Sequence, residues 1–158
     1  MGFEINEYLH KANRLIAFIG GAQIDPYGNV NSTSIGDYHH PKTRFTGSGG
    51  ANGIATYSNT IIMMQHEKRR FMNKIDYVTA GWIDGPGGRE RLGLPGDVGP
   101  QMVVTDRGIL KFDEKTKRMY LAGYYPLLLR KMYWKTPGST WMYPEPLNWK
   151  LRIRKSSN

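Results

Sequence analysis

Two turn-rich loops mark the chain between Gly20 and Asn52. The first reads Gly20-Gly21-Ala22-Gln23-Ile24-Asp25-Pro26-Tyr27-Gly28-Asn29-Val30-Asn31-Ser32-Thr33. The second reads Gly47-Ser48-Gly49-Gly50-Ala51-Asn52. An apolar run, Leu15 to Ile19, comes before them and reads as a buried strand. The second loop opens onto a predicted helix, Ala51 to Ser58. Glycine-rich backbone at a helix N-terminus lets free N–H groups approach an anion closely. Such a place suits a phosphate, a carboxylate or an oxyanion, and hence an acyl or phosphoryl ligand.

The rest of the chain alternates strand-like runs with turns. Ile5, Tyr8, Leu9 and Ala12 have helical spacing over Ile5 to Asn13. In Asp25-Pro26-Tyr27-Gly28-Asn29, proline presets φ while Gly and Asn tolerate positive φ, so a turn is predicted. Val30 to Ile35 reads as a short strand, Gly36 to Ser48 as a loop, and Thr60 to Met64 and Ile75 to Thr79 as strands. Ala80 to Pro100 holds seven glycines and three prolines, a loop long enough to suggest function. Gln101 to Thr105, Gly108 to Phe112 and Arg118 to Ala122 read as a meander with turns at Asp106-Arg107-Gly108 and Asp113 to Lys117. Strands mixed with short helices give an α/β class.

At 158 residues the chain fits one domain, with enough length for a core. It has no cysteine, which removes disulfides and thiolate chemistry and is compatible with the cytoplasm. Met1 to His10 lacks a signal-peptide apolar run, and no stretch approaches the roughly 20 apolar residues of a membrane span. The net charge of +9 raises nucleic-acid binding. The basic residues form no long stripe before Lys111, and no nucleic-acid motif is present. A solvated basic surface facing an acidic partner or an anionic cofactor is the preferred reading.

Six ordered segments together resemble the β subunit of the family I coenzyme A transferases, in particular the glutaconate CoA-transferase branch. They are GGAQID with the following GN and N (Gly20 to Asn31), Gly36 to Arg44, GSGGAN (Gly47 to Asn52), His66 to Phe71, Asp84 to Gly96 and Val103 to Pro126. The resemblance implies an open α/β sheet with flanking helices, in a single domain over residues 1–126. Residues 127–158 form a divergent tail rich in aromatic and basic residues. Two readings of that tail stand equal: aromatic anchors on a partner surface, or a tail packed on its own domain or partly disordered.

What the resemblance implies for function is a heteromeric enzyme that moves CoA from an acyl-CoA to a carboxylic acid. The coenzyme A thioester is a substrate, and no permanently bound cofactor is expected. Family β subunits carry a catalytic glutamate in a preceding half. Glu4, Glu7, Glu67, Glu90, Glu114 and Glu145 do not lie in that motif. The expected partners are therefore an α-like subunit and a chain carrying the missing N-terminal half. Two alternatives stay open: a related ring-opening hydrolase or decarboxylase, and a non-catalytic acyl-CoA-binding or scaffold subunit.

Gly47, Ser48, Gly49, Gly50, Ala51 and Asn52 are the expected oxyanion and CoA-binding loop, against the alternative of a tight turn that needs glycine for φ alone. Gln23 and Asn31 are expected to line a substrate pocket, though Gln23 suits a turn-holding role equally. Asp25 and Asn29 are read as turn-holding residues. Adjacent His39 and His40 point to opposite faces of an extended chain, so no metal site is expected. Lys68, Arg69 and Arg70 read as a solvated run. Arg89 and Arg91 are candidates for carboxylate or phosphate recognition, against an ordered surface loop stabilised by Asp84 and Asp97.

Overall fold

The computed structural model describes residues 15–124. The predicted helix over Ile5 to Asn13 and the tail from 127 onward lie outside them. The framework is a five-stranded open sheet. In spatial order its strands are β1 (Ile16–Ile19), β6 (Asn59–Met64), β7 (Pro100–Thr105), β8 (Gly108–Phe112) and β9 (Met119–Tyr124). β1, β6 and β7 run parallel. β7, β8 and β9 form the predicted antiparallel meander. The apolar runs and the two Asp-led turns therefore fold as their patterns require. In the second turn, Asp113 Oδ1 accepts from the backbone N–H groups of Lys115 and Thr116.

Between β1 and β6 the chain forms two small antiparallel pairs and a helix, α1 (Ala51–Tyr57). β2 (Gln23–Ile24) pairs with β3 (Val30–Asn31). β4 (Ser34–Gly36) pairs with β5 (Pro41–Arg44). The expected single strand Val30 to Ile35 is thus two strands joined at a corner. Asn31 Oδ1 accepts from the N–H groups of both Thr33 and Ser34 at that corner and turns the chain there. The predicted loop Gly36 to Ser48 contains β5.

Ile75 to Thr79, expected as a strand, is not one. The Thr79 hydroxyl instead accepts from Ser32 N–H and bonds Thr33 Oγ1, and Asp76 accepts from Gln23 and Gly36. Side-chain bonds take the place of a ladder here, and Ala80 pairs with Val30 through the backbone.

The core lies on one face of the sheet. Ile19, Ile62, Val103, Leu110 and Met119 pack there with Ile24, Val30, Ala55, Phe71 and Ala80. α1 contributes Ala55, with Ala51 and Ile54 packed at the margin. β1 corrects the expectation of a fully buried strand. Among the described residues it is an edge strand, with Ile19 buried but Ile16 and Phe18 exposed on the opposite face.

One buried titratable group couples this core to pH. His66 is buried, shares a hydrogen bond between Nδ1 and Thr105 Oγ1, and packs its ring 4.8 Å from that of Phe71. Its Nε2 is buried without a partner. Burial, then the charge of Arg107, lowers its pKa below the ordinary 6.5, with Asp106 opposing. The unfolded chain therefore binds a proton that the folded chain resists as pH falls through 6.5. The stability held by neutral His66 is present above that pH and lost below it, by at most about 1.4 kcal/mol per pH unit. His66→Phe is expected to flatten the fall in the urea midpoint as pH drops below 6.5. Parallel curves for the two proteins would refute it.

Candidate functional site

β1 ends at Ile19, and β6 begins beside the start of β1, with Asn59 opposite Ile16. α1 must therefore run back from the carboxyl end of β1 towards its amino end. This puts its N-terminus, and the loop Gly47 to Asn52, at the carboxyl ends of the parallel strands. That edge is where open α/β sheets bind ligands.

Ser32 Oγ donates to Gly47 O, and Ala51 N–H donates to Ser48 O at 2.8 Å, which closes the loop into a turn. The first intrahelical bond runs from Ile54 N–H to Gly50 O. Asn52 and Gly53 are left as first-turn amides that the helix itself does not satisfy. No side chain caps this end, and the first turn carries no acidic residue.

The glycines of the loop are not equivalent. Gly47 (φ 92) and Gly49 (φ 51) have positive φ. A Cβ at either would meet nothing within 4 Å, so backbone conformation rather than crowding selects glycine there. Gly50 has φ −88 and ψ −5, which any residue adopts. Its Cβ would approach only Ile54 Cδ1, at 3.4 Å. Neither the turn nor the packing requires glycine at Gly50, so the tight-turn alternative does not account for it.

Gln23 and Asn31 are both buried, and their amides are used within the protein. Asn31 Nδ2 donates to Gln23 Oε1 and Ser34 O, and its Oδ1 accepts twice at the β3–β4 corner. Gln23 Oε1 also accepts from Asp76 N–H, while its Nε2 donates to Asp76 Oδ2. This network fixes the β2–β4 segment that leads into the glycine loop. Both donors and both acceptor positions of the Asn31 amide are thus engaged within the protein.

Asp25 and Asn29 hold the turn. Asp25 accepts from Tyr27 N–H, Asn29 N–H and Asn29 Nδ2. Burial raises the Asp25 pKa above 3.8 against the pull of those bonds. Asn29 also bonds both backbone groups of Ile83, which staples the long loop to the turn.

Arg89 is the residue the sequence misplaced. It lies in the short helix α2 (Gly88–Arg91), but it is only 4% exposed. Its guanidinium donates to Pro95 O, Ala55 O, Gly81 O and Thr56 O, at 2.5 to 3.1 Å. Ala55 and Thr56 lie in the last turn of α1, so Arg89 satisfies carbonyls that the helix leaves open and complements its dipole. Burial lowers its pKa, with Glu90 and Asp97 opposing. Arg89 is a clamp within the protein and not a ligand-binding arginine.

Arg91 is exposed and pairs with Asp84, as the ordered-loop alternative has it. In the basic run, Glu67 binds Arg69 and Arg70, and Arg70 also reaches Gly21 O. His39 and His40 are exposed, with both N–H groups on Asp37 Oδ1. Among the described residues no group of three or more His, Cys, Asp or Glu could hold a metal ion, and no helix is long and apolar enough to cross a membrane. The described glutamates Glu67, Glu90 and Glu114 all lie outside the segment Gly20 to Asn52.

Comparison with known proteins gives this geometry a context. The glutaconate CoA-transferase B subunit of Acidaminococcus fermentans is 95% identical over 127 residues, which are 80% of this chain and 48% of that protein. The crystal structure of glutaconate coenzyme A-transferase from that organism superposes with a TM-score of 0.73, over 79% of this chain and 48% of that one. The 3-oxoadipate CoA-transferase B subunit of Pseudomonas knackmussii is 34% identical over 138 residues, 85% of this chain and 53% of that protein. Rhodococcus jostii IpdAB shares the fold, with a TM-score of 0.64 at 23% identity over 78% of this chain and 49% of that one. The chain spans about half the length of the curated relatives it matches. The family model for Coenzyme A transferase matches residues 1–131, and the chain belongs to that family.

Proposed function

We propose that this chain acts within a heteromeric CoA-transferase, together with the rest of its subunit and an α-like partner. It would supply the loop Gly47 to Asn52 to the reacting thioester carbonyl. The observation that carries the reading is the uncapped N-terminus of α1, set at the carboxyl ends of parallel strands beneath open space at Gly47 and Gly49. The similarity to two CoA-transferase B subunits supports it.

In the proposed reaction a glutamate carboxylate from outside this sequence attacks the thioester carbon. The carbonyl oxygen gains negative charge in the tetrahedral intermediate, and loop N–H groups donate to it. The C–S bond then breaks, CoA leaves as thiolate, and a glutamyl-acyl anhydride remains. The thiolate attacks the glutamyl carbonyl and releases the first acid as its carboxylate. An acceptor carboxylate attacks the resulting glutamyl-CoA thioester, again releasing thiolate and forming a mixed anhydride. Thiolate attack on the acceptor's carbonyl yields the new acyl-CoA and restores the glutamate. Each step breaks the bond that balances the one it forms, and no redox partner is needed.

The test is to combine the full chain with the remaining half of the Acidaminococcus fermentans B subunit and an α-like subunit. Transfer from glutaconyl-CoA to acetate is then measured, with a CoA adduct sought by mass on a glutamate outside this chain. Acceptor-dependent transfer that requires this chain is expected. Release of free CoA without any acceptor would assign a hydrolase instead. Full transfer in the absence of this chain would overturn the proposal.

A further inference from the structure

The loop Gly47 to Asn52 is held from a distance. Among the described residues, one hydrogen bond ties residues 46–50 to another segment, from Ser32 Oγ to Gly47 O at 3.4 Å. Just before the loop, Phe45 N–H donates to Thr33 O at 2.9 Å. Both bonds reach the corner Ser32-Thr33, between β3 and β4. The loop's other bonds run within it and into α1. The place of this corner therefore decides the place of the loop.

The corner in turn rests on Thr79, which is 2% exposed. The Thr79 hydroxyl accepts from Ser32 N–H at 2.9 Å and meets Thr33 Oγ1 at 2.8 Å. A hydroxyl has one donor and two acceptor positions, enough to hold both partners at once. Its backbone is anchored independently of that hydroxyl. Thr79 N–H and Ala80 N–H both donate to Val30 O, and Val30 N–H donates back to Ala80 O. Val30 and Ala80 belong to the core. The core thus fixes the Thr79 backbone, and the side chain reaches forward to the corner. Asn31 Oδ1 holds the N–H groups of Thr33 and Ser34, while the N–H of Ser32 is held by Thr79.

We infer that Thr79 is a positioning residue for the glycine loop. Its hydroxyl sets the Ser32-Thr33 corner, and through it the place of the loop N–H groups at the carboxyl ends of the parallel strands. Its consequence for turnover rests on the proposed function, whereas the positioning itself does not.

A methyl group in place of the hydroxyl cannot stay at 2.8 to 2.9 Å from its neighbours. Carbon contacts need about 3.5 Å, so Thr79→Val pushes the corner away by roughly 0.6 Å while keeping side-chain shape. A displacement near 1 Å, even far from the chemistry, costs up to about 10² in rate. Thr79→Ser loses a methyl and keeps the hydroxyl.

Two measurements separate positioning from folding and from the reaction. The first is amide exchange at Phe45 and Ala51 in the full chain. Thr79→Val should speed both by about fivefold, the worth of one hydrogen bond, and Thr79→Ser should leave both near the unsubstituted rates. The second is turnover per assembled complex, with the remaining half of the Acidaminococcus fermentans B subunit and an α-like subunit. For Thr79→Val, kcat and kcat/KM should fall together by about 10–10²-fold with KM unchanged, because donors to the transition state are displaced. Thr79→Ser should restore most of the rate. If Thr79→Val does not fold, Thr79→Ala against Thr79→Ser makes the same comparison, since these two differ by the hydroxyl alone.

Equal exchange with and without the hydroxyl would overturn the inference. Equal loss of turnover in the valine and serine variants would also overturn it and make Thr79 a packing residue. Full turnover by Thr79→Val would leave the proposed function standing and remove Thr79 from it. Hydroxyl-dependent exchange in a complex that transfers no CoA would keep the positioning and remove the function.

Discussion

Arg89→Met is expected to destabilise the chain by about 3–5 kcal/mol, a loss at the upper end for a single substitution. The cause is four carbonyls, not a lost charge pair. Pro95 O, Ala55 O, Gly81 O and Thr56 O all converge on one guanidinium. Methionine fills similar volume and donates nothing, so these acceptors are left without Arg89. Each orphaned buried acceptor costs about 1–3 kcal/mol, and relief of the buried cation's desolvation offsets part of the sum. Arg89→Lys is expected to recover only a fraction, because a point ammonium cannot span the fork that reaches three separate segments. Urea denaturation with hydrogen exchange on the last turn of α1 measures both effects. A change under about 1 kcal/mol for Arg89→Met would show that the clamp is dispensable.

The same residue shows where sequence reading stops. An arginine in a Gly/Pro loop reads as a ligand contact or a surface charge. Its burial depends on carbonyls of Ala55, Thr56, Gly81 and Pro95, which no local pattern brings together. The meander, α1 and β6 were legible because apolar runs and Asp-led turns fix them locally. β1 was legible as a strand but not as an edge, since an apolar run of that length looks the same with one face covered or two.

The paired strands β2–β3 and β4–β5 were missed for another reason. They are set by corners at Asp25 and Asn31, whose side chains replace backbone bonds, and not by alternation. Ile75 to Thr79 had strand composition, but its polar groups serve the neighbouring loop. The glycine loop is legible in the sequence as a turn that opens onto α1. The sequence did not distinguish Gly50 from Gly47 and Gly49, because the difference is in φ.

That difference makes Gly50 the decisive position. Replacing Gly47 or Gly49 strains the backbone, so lost activity there says little about chemistry. Gly50→Val meets no such barrier, since φ −88 suits any residue and the nearest atom to a Cβ is Ile54 Cδ1 at 3.4 Å. Valine's branched Cβ stands beside the first-turn amides and denies a thioester carbonyl close approach to them. Loss of one well-aimed donor costs about 10²–10³ in turnover. Stability and assembly should change little, by about 0.5 kcal/mol or less for an exposed site of this kind.

The most direct measurement is turnover per assembled complex for Gly50→Val against the unsubstituted chain, with assembly quantified separately by size exclusion. A fall of about 10²–10³ in turnover with assembly unchanged is the predicted result. Equal turnover per assembled complex would contradict it and would remove Gly47 to Asn52 from the reacting centre.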